Sequence, residues 1–551
     1  MRVKLRPDTH YAPVPQGLYV ARGGREFVLA GPPALYELVD GLLGPLTEGA
    51  DLDQLTAATG DPAARPVLAH VLGRLLHQDV LLDLDALTVP APDPQTAAEY
   101  ADVLAHLETR SVDPYRDFAV LRATTVIVLG TGPAARTAVR TLCAAGVTDL
   151  PAQDADGPAL TLRSAADWAV TVHTEDRYAL LGDGSEPAAL TGRIAAWLDA
   201  RPHEAAPTPL SATLAGSLAA HTALDRLLGG PGRPGPLLIH GPHLTTSQLP
   251  PPPARTGPEW TVLAEPPRSA EPSDVDDTAD APERPGTAER PDTAVPDAAA
   301  ILGTLAPLTA PWTGLVVPGD DGPLPQLPVS LATVRPLGGN LLAAWGRTRA
   351  AAVLGAVLHA LRALADRDCP PGTQHPTYSV PAAGSSPTRF LLDGALRLLL
   401  PALAAPASVA WEELDSARQR SMWSVLDEWF HRDTTLTVRR LDGTDWQLAE
   451  VTDTTGELRA AAWGDNRSAA LEAALTAAVA QAQADPETRA RLAAAGPATP
   501  AEELTGAQAE AALMQLTARL AAHGHTLRAV VRTHDPVLGP LPTTAGRVWC
   551  A

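Results

Sequence analysis

The residues best placed to do chemistry are Gly130-Thr131-Gly132-Pro133-Ala134-Ala135, a G-x-G-x-x-A that follows the apolar run TTVIVLG and precedes TAVRTLCAAG. In such a pattern the first glycine permits a tight turn and the second lets a phosphate approach the backbone. The third small residue lets helix and strand pack closely, and the helix start offers its free N–H groups to an anion. Gly130, Gly132 and Ala135 are therefore the candidate cofactor-binding positions, read as vestigial for two reasons. A working dinucleotide site also wants an acid about 20 residues further on, at the end of the next strand, to hold a ribose. Asp149, Asp154 and Asp156 stand there in VTDLPAQDADG, with no convincing strand before them, and Pro133 removes one backbone donor from the cradle.

Other reactive patterns are missing. The chain contains no H-E-x-x-H, no G-x-S-x-G and no G-x-x-x-x-G-K-[ST], so zinc proteolysis, α/β-hydrolase catalysis and Walker-type phosphate binding lack support. Cys143, Cys369 and Cys550 lie far apart without a C-x-x-C pair, which argues against a disulfide framework or a cysteine zinc site and fits a reducing cytoplasm. Cys143, on the helix behind the glycine turn, reads as a small buried thiol. His240 with His243, and His523 with His525, read as surface residues beside turns. Trp423 and Trp429, near Leu426 and Phe430, read as a buried helix stripe or a partner-facing patch. No catalytic residue, metal ligand or cofactor is expected.

A formal charge of -21 disfavours nucleic acid as a partner, because the summed field repels phosphate backbones. The N-terminal MRVKLRPDTH has no apolar run after its charges and does not read as a secretion signal. The most apolar stretch, 391–411, contains Asp393, Arg397 and prolines, so it reads as a core helix and a turn; no membrane span is expected.

These residues must be positioned by about three domains, given a length of 551. Residues 1–85 open with strand-like KLRPDTHYAPV, GLYVAR and REFVLAG, the last two joined by a Gly23-Gly24 hairpin turn. Three helical patterns follow, from PPALYELVDGLL, from DLDQLTAATG with its aspartate cap, and from DPAARPVLAHVLGRLLHQDVLLDL, giving a small winged-helix outline. Residues 86–114 read as a polar helical connector. From 115 to 265 strands and helices alternate, which implies an α/β domain with a mainly parallel sheet. Residues 266–298, rich in proline and acids, read as a disordered linker. Residues 299–551 form a further α/β region with several Ala- and Leu-rich helices.

The N-terminal pattern, REFVLAG before LYELVDGL and a closing V-L-x-x-L-x-x-x-x-V-L-L, resembles the PqqD-like peptide-recognition domains of ribosomal peptide pathways. That resemblance implies that a leader peptide adds a strand to the small sheet and rests on the third helix. Phe27, Val28 and Leu29 would line the edge, and Leu68, Val71, Arg74 and Leu75 the helical wall. The alternative is a generic winged helix whose apolar residues are all core. The glycine turn, with ALTGRIAAWLDA and LSATLAGSLAAHTALDRLLGG, is similar to the ThiF-type fold, in the divergent version found beside peptide-recognition domains in azoline biosynthesis. Active members adenylate a carboxylate, many hold zinc on paired cysteines, and the family implies a homodimer through this domain. Here neither the arginine- and asparagine-bearing segment nor the cysteine pair is present.

WTGLVVP, NLLAAWGRTRAAAVLGAVLHALRAL, SVPAAGSSPTRFLLDGALRLLLPALA and AAAWGDNRSAALEAALTAAVAQAQA resemble YcaO-type ATP-dependent cyclodehydratases. Those enzymes carry glutamates after each glycine turn, as in L-G-E-A-L-E-R, because hard oxygen ligands hold magnesium. This chain has Ala356 and His359 at the first pair, and the pattern assigns Leu398 and Pro401 to the second. The resemblances together imply a leader-binding partner with a degenerate YcaO-like region, presenting a thiopeptide-type or related precursor to an intact YcaO-type subunit that forms azolines from Cys, Ser or Thr. The alternatives are an ATP-dependent adenylating or cyclodehydrating enzyme and an NAD(P)-dependent oxidoreductase.

Overall fold

The computed structural model describes residues 1–153, 159–164, 168–183, 188–201, 208–250, 260–263, 297–320, 322, 324–369, 378–533, 535 and 537–551. Asp154, Asp156 and nearly all of the linker expected at 266–298 lie outside these residues. The chain is a mixed α/β protein of two compact units, one from 1–189 and 203–251, the other from 190–202 and 252–551.

In the first unit Pro7 divides the opening strand-like piece in two. β1 (Arg2–Leu5) pairs with other partners than β2 (His10–Val14), which continues into β3 (Gly17–Arg22) and β4 (Arg25–Ala30). Gly23 and Gly24 both adopt positive φ, as a two-residue hairpin turn between twisted strands requires. α1 (Ala34–Gly41), α2 (Leu43–Glu48), β5 (Ala50–Asp51), α3 (Leu52–Thr59), α4 (Arg65–His77) and β6 (Leu81–Asp83) follow, and β5-β1-β6 form a second small sheet. Asp51 caps α3 reciprocally with Gln54, as the aspartate in the sequence suggests.

α5 (Pro94–Glu99), α6 (Ala101–Arg110) and α7 (Pro114–Ala123) occupy the connector. It is tied to β1 through the buried Glu108, whose carboxylate accepts from Lys4 Nζ at 2.6 Å and Tyr115 Oη at 2.9 Å.

β7 (Val126–Leu129), α8 (Gly132–Ala144) and β8 (Ala152–Gln153) make one parallel crossover. β9 (Ala159–Ser164), β10 (Ala169–Glu175) and β11 (Tyr178–Asp183) then fold back on β7, and α10 (Thr208–Leu227) covers them after α9 (Ala188–Ala200). β12 (Leu237–His240) and β13 (Thr245–Gln248) complete a seven-stranded mixed sheet of order β13-β12-β11-β10-β9-β7-β8. A mainly parallel sheet is not what forms. Every neighbouring pair except β7-β8 is antiparallel, because short connections such as that between β10 and β11 reverse the chain without room for a crossover helix.

The second unit begins with α9, whose Arg193 donates to Asp535 Oδ2 at 2.5 Å and whose Trp197 donates to the Gly314 carbonyl at 3.1 Å. β14 (Trp260–Leu263), α11 (Ala298–Thr309), β15 (Val316–Pro318), β16 (Ser330–Pro336), β17 (Leu342–Gly346), α12 (Arg349–Asp368), β18 (Val380–Gly384) and α13 (Pro387–Leu398) follow. Next come β19 (Ala407–Ser408), α14 (Ala417–Ser424), β20 (Thr434–Arg440), β21 (Gln447–Asp453), β22 (Arg459–Gly464) and α15 (Arg467–Gln483). α16 (Pro486–Ala494), α17 (Gly506–Ala522), β23 (Leu527–Arg532) and β24 (Thr544–Cys550) close the chain. The sheets are β15-β16-β17, β19-β20-β21-β22 and β14-β23-β24-β18. Residues 391–411 hold the expected core helix and turn. Among the described residues no helix is long and apolar enough to cross a membrane.

Candidate functional site

Three times in the second unit a strand ends in glycine, a polar residue caps the next helix, and the helix runs back against its strand. The segments are β17-Gly346-Thr348-α12, β18-Gly384-Ser386-α13 and β22-Gly464-Asn466-α15. Each cap side chain accepts from the third helical N–H, of Ala351 (3.2 Å), Arg389 (3.3 Å) and Ala469 (2.9 Å). A Cβ on any of the three glycines would fall well inside contact distance of the helix backbone at Ala352, Phe390 or Ala470. With glycine and cap fixed, equivalent positions on the three helices point the same way. His359, Arg397 and Ala477, counted alike from the glycines, all line one cavity of about 780 Å³.

This register corrects the positions assigned from the family pattern. Ala356 is fully buried core and does not line the cavity, whereas His359 does. On α13 the equivalents of Ala356 and His359 are Gly394 and Arg397. Leu398 is packed in the core and Pro401 lies in a 3-10 turn beyond the helix. The acid that α13 does bring to the cavity is Asp393, one residue before Gly394.

Asp393 is 1 % exposed and fully bonded. Its Oδ1 accepts from Arg397 Nε (3.1 Å) and Thr499 Oγ1 (2.7 Å), and its Oδ2 from the Ala383 N–H (3.2 Å) and Arg362 Nη1 (3.5 Å). Burial alone would raise its pKa, but Arg397, Arg362 and these hydrogen bonds hold it below the usual carboxylate range. Burial and Arg397 bring the Arg362 guanidinium down to about 10. His359, buried and near Arg362, is pushed down to about 4 and is neutral at pH 7, its Nδ1–H donating to the Ala343 carbonyl at 3.3 Å. Glu502 accepts from Ser385 N–H (2.8 Å) and Oγ (2.5 Å) and has Arg389 at 3.7 Å, yet burial raises its pKa. Nearer the α15 start, Glu472 accepts from Arg347 (2.6 Å) and lies 3.3 Å from Arg418 Nε. Polar and apolar groups thus share the lining, and of its carboxylates Asp393 and Glu502 are paired to arginines, while burial raises the pKa of Glu503. Among the described residues no group of three or more His, Cys, Asp or Glu is placed to hold a metal ion.

The glycine turn of the first unit is built differently. Gly130 and Gly132 have φ of 117° and 93°, Thr131 makes no side-chain cap bond, and a Cβ on Gly132 would meet nothing. The Gly130 N–H donates to the Gln153 carbonyl at 3.1 Å, and Ala135 is buried on the inner face of α8. Asp149 cannot serve as a ribose acid, because it bonds Thr125 at the opposite end of β7 from the turn. Cys143 is exposed and not buried as expected; Leu142 takes the inward place beside it.

On the N-terminal hairpin, Gly31 N–H donates to Gln16 O at 3.0 Å, so alternation makes Leu29, Phe27 and Arg25 the residues bonded to β3. The backbone groups of Glu26, Val28 and Ala30 therefore face the other edge of β4, which pairs with no strand among the described residues. Val28 is 46 % exposed and Phe27 is partly buried, while Leu29 packs in the core. On α4, Leu68, Val71 and Leu75 face the core and Arg74 faces solvent.

Elsewhere, His240 bonds Ser247 Oγ at 2.8 Å and His523 bonds the Arg519 carbonyl at 2.9 Å. Trp423 stacks edge-on with Trp411 at 6.0 Å, and Trp429 is 70 % exposed.

No family model matches the chain, and no curated protein matches it. Among solved structures it is similar to one described as a heterocyclase in complex with substrate and cofactor, at 11% identity and a TM-score of 0.52, over 100% of this chain and 94% of that one. Escherichia coli MccB with ATP is matched at 9% identity and a TM-score of 0.30, over 46% of this chain and 98% of that one. MccB in complex with N-formylated MccA gives 10%, 0.30, 45% and 97%. The first of these is a likeness of fold spanning the whole chain.

Proposed function

We propose that the protein works in the modification of ribosomally made peptides, binding a precursor's leader along β4 and presenting it to a YcaO-type cyclodehydratase that forms azolines from Cys, Ser or Thr. The reading is carried by one observation: among the described residues the outer edge of β4 pairs with no strand, so the Val28 N–H and C=O face outward from a strand paired to β3 on its other side. An incoming extended peptide can take these groups as a fourth strand, with affinity from the backbone and selectivity from alternate side chains. The whole-chain likeness of fold to a heterocyclase supports a setting in peptide heterocyclisation. On this reading residues 1–85 are the recognition domain, 115–265 a ThiF-type domain and 299–551 a degenerate YcaO-like region. Tethering the leader raises the effective concentration of the core peptide at the partner's active site, so one binding event supports several ring closures.

The test is calorimetric titration of the full chain with the leader of any short Ser/Cys-rich precursor encoded beside its gene. Val28→Pro removes an outward donor without touching the β3 ladder, and should weaken leader binding at least about tenfold. Unchanged affinity in the folded variant rejects strand addition. A second reading, in which the chain itself is the ATP-dependent cyclodehydratase, is favoured by the retained cavity of the second unit. ATP consumption coupled to ring formation by the purified chain alone would establish it.

A further inference from the structure

The floor of the cavity holds an arginine with few bonds of its own. Asp393 serves two arginines, Arg362 and Arg397, and its four acceptor positions are used. Arg397 also donates to the Ala495 and Pro497 carbonyls, both at 3.4 Å. Glu502 is matched by Arg389, and Glu472 by Arg347 and Arg418. Arg347, Arg459, Glu450 and Glu503 also stand on the lining. The guanidinium of Arg362 is bonded more sparsely than that of Arg397. Among the described residues its one hydrogen bond is the long contact to Asp393, and its side chain, 15 % exposed, lines the cavity.

A partly buried guanidinium with donors to spare takes a further acceptor. A guanidinium fork matches the two oxygens of a carboxylate or phosphate, and among the described residues no group of three or more His, Cys, Asp or Glu is placed to hold a metal ion. Above the floor the walls are apolar, from Trp345, Leu354, Leu358 and Val451, and the volume suits a small organic molecule.

We propose that this cavity is a metal-independent receptor for an organic oxyanion, gripped at its charged end by Arg362 and covered along its apolar body by Trp345, Leu354 and Leu358. The site does not depend on leader capture at β4, and the two fail separately.

The full chain is titrated with adenosine monophosphate and with N-acetyltryptophan, a phosphate and a carboxylate on aromatic bodies, each in EDTA and in magnesium, with ATP-magnesium alongside. At least one of the two should bind saturably, with the EDTA and magnesium affinities within about twofold of one another; which head group wins identifies the source. Arg362→Lys keeps the charge but loses the fork, and should weaken binding by about tenfold. Gly355→Leu is a second variant that leaves every charged group in place. A Cβ there meets only ordinary contacts, 3.4 Å from Ala344 Cβ and 3.7 Å from Trp345 O, so a longer side chain fills the cavity without breaking the fold. It should abolish binding while leader affinity stays unchanged. The proposal is overturned if neither probe saturates at millimolar concentration, if EDTA abolishes binding, or if both folded variants bind as the parent does.

Discussion

The glycine turns at Gly346, Gly384, Gly464 and Gly132 each join a strand to a helix, and they divide three to one. At Gly346, Gly384 and Gly464 the glycine exists because the helix backbone lies against it, and the helix start is closed by Thr348, Ser386 or Asn466. At Gly132 nothing crowds the missing side chain; the requirement is the positive φ of 93°, and Thr131 leaves the helix start without a side-chain cap. A shared sequence pattern thus has two physical causes. Where the cause is close approach, glycine and cap fix the register of the helix and so decide which residues enter the cavity. Where it is dihedral, the turn aims the chain and the helix face is set by the sheet beneath.

The largest effect that could break this contrast is Gly464→Ala. Its Cβ would collide with the backbone at Ala470, and a loss of about 3 kcal/mol or more in denaturant unfolding is expected. A loss below about 1 kcal/mol would show that the helix can slide away, and the register argument would fail.

Next comes His359→Gln. The folded pKa of about 4 lies below the ordinary 6.5, so the unfolded chain binds the proton first as pH falls. The parent keeps this stability above pH 6.5 and loses up to roughly 3 kcal/mol of it on descent towards pH 4. In the variant the stability–pH curve should be flatter over that window. An unchanged slope would mean that the ring is not held neutral against Ala343.

Gly132→Ala should cost about 1 kcal/mol, from dihedral strain alone, by the same unfolding measurement. Ser386→Ala should cost about 1 kcal/mol for its lost cap, and Thr131→Ala only a few tenths. Equal losses in that last pair would erase the distinction between the two kinds of turn.

Much of the secondary structure was legible because local signals were strong. The Gly23-Gly24 hairpin, the Asp51 cap and the helices after each glycine turn fall where turn chemistry and apolar periodicity put them. β9 and β11 were not legible: ALTLRS and YALLGD are short, and the alanine-rich composition hides alternation. Nor was the membership of α9, since it rests on Arg193 and Trp197 meeting Asp535 and Gly314, contacts distant in sequence. Asp393 was missed by counting from a family pattern. The signal that finds it is internal: aligning GRT, GSS and GDN, each with its polar cap two residues after glycine, gives the register directly.

That internal alignment separates frame from contents. Each helix is locked at its first turn, about three turns before 359, 397 and 477, so substitutions at those positions can trade a ring for a cation or a methyl while the supporting backbone stays where it is. A chain built this way can abandon one ligand and acquire another without passing through an unfolded ancestor.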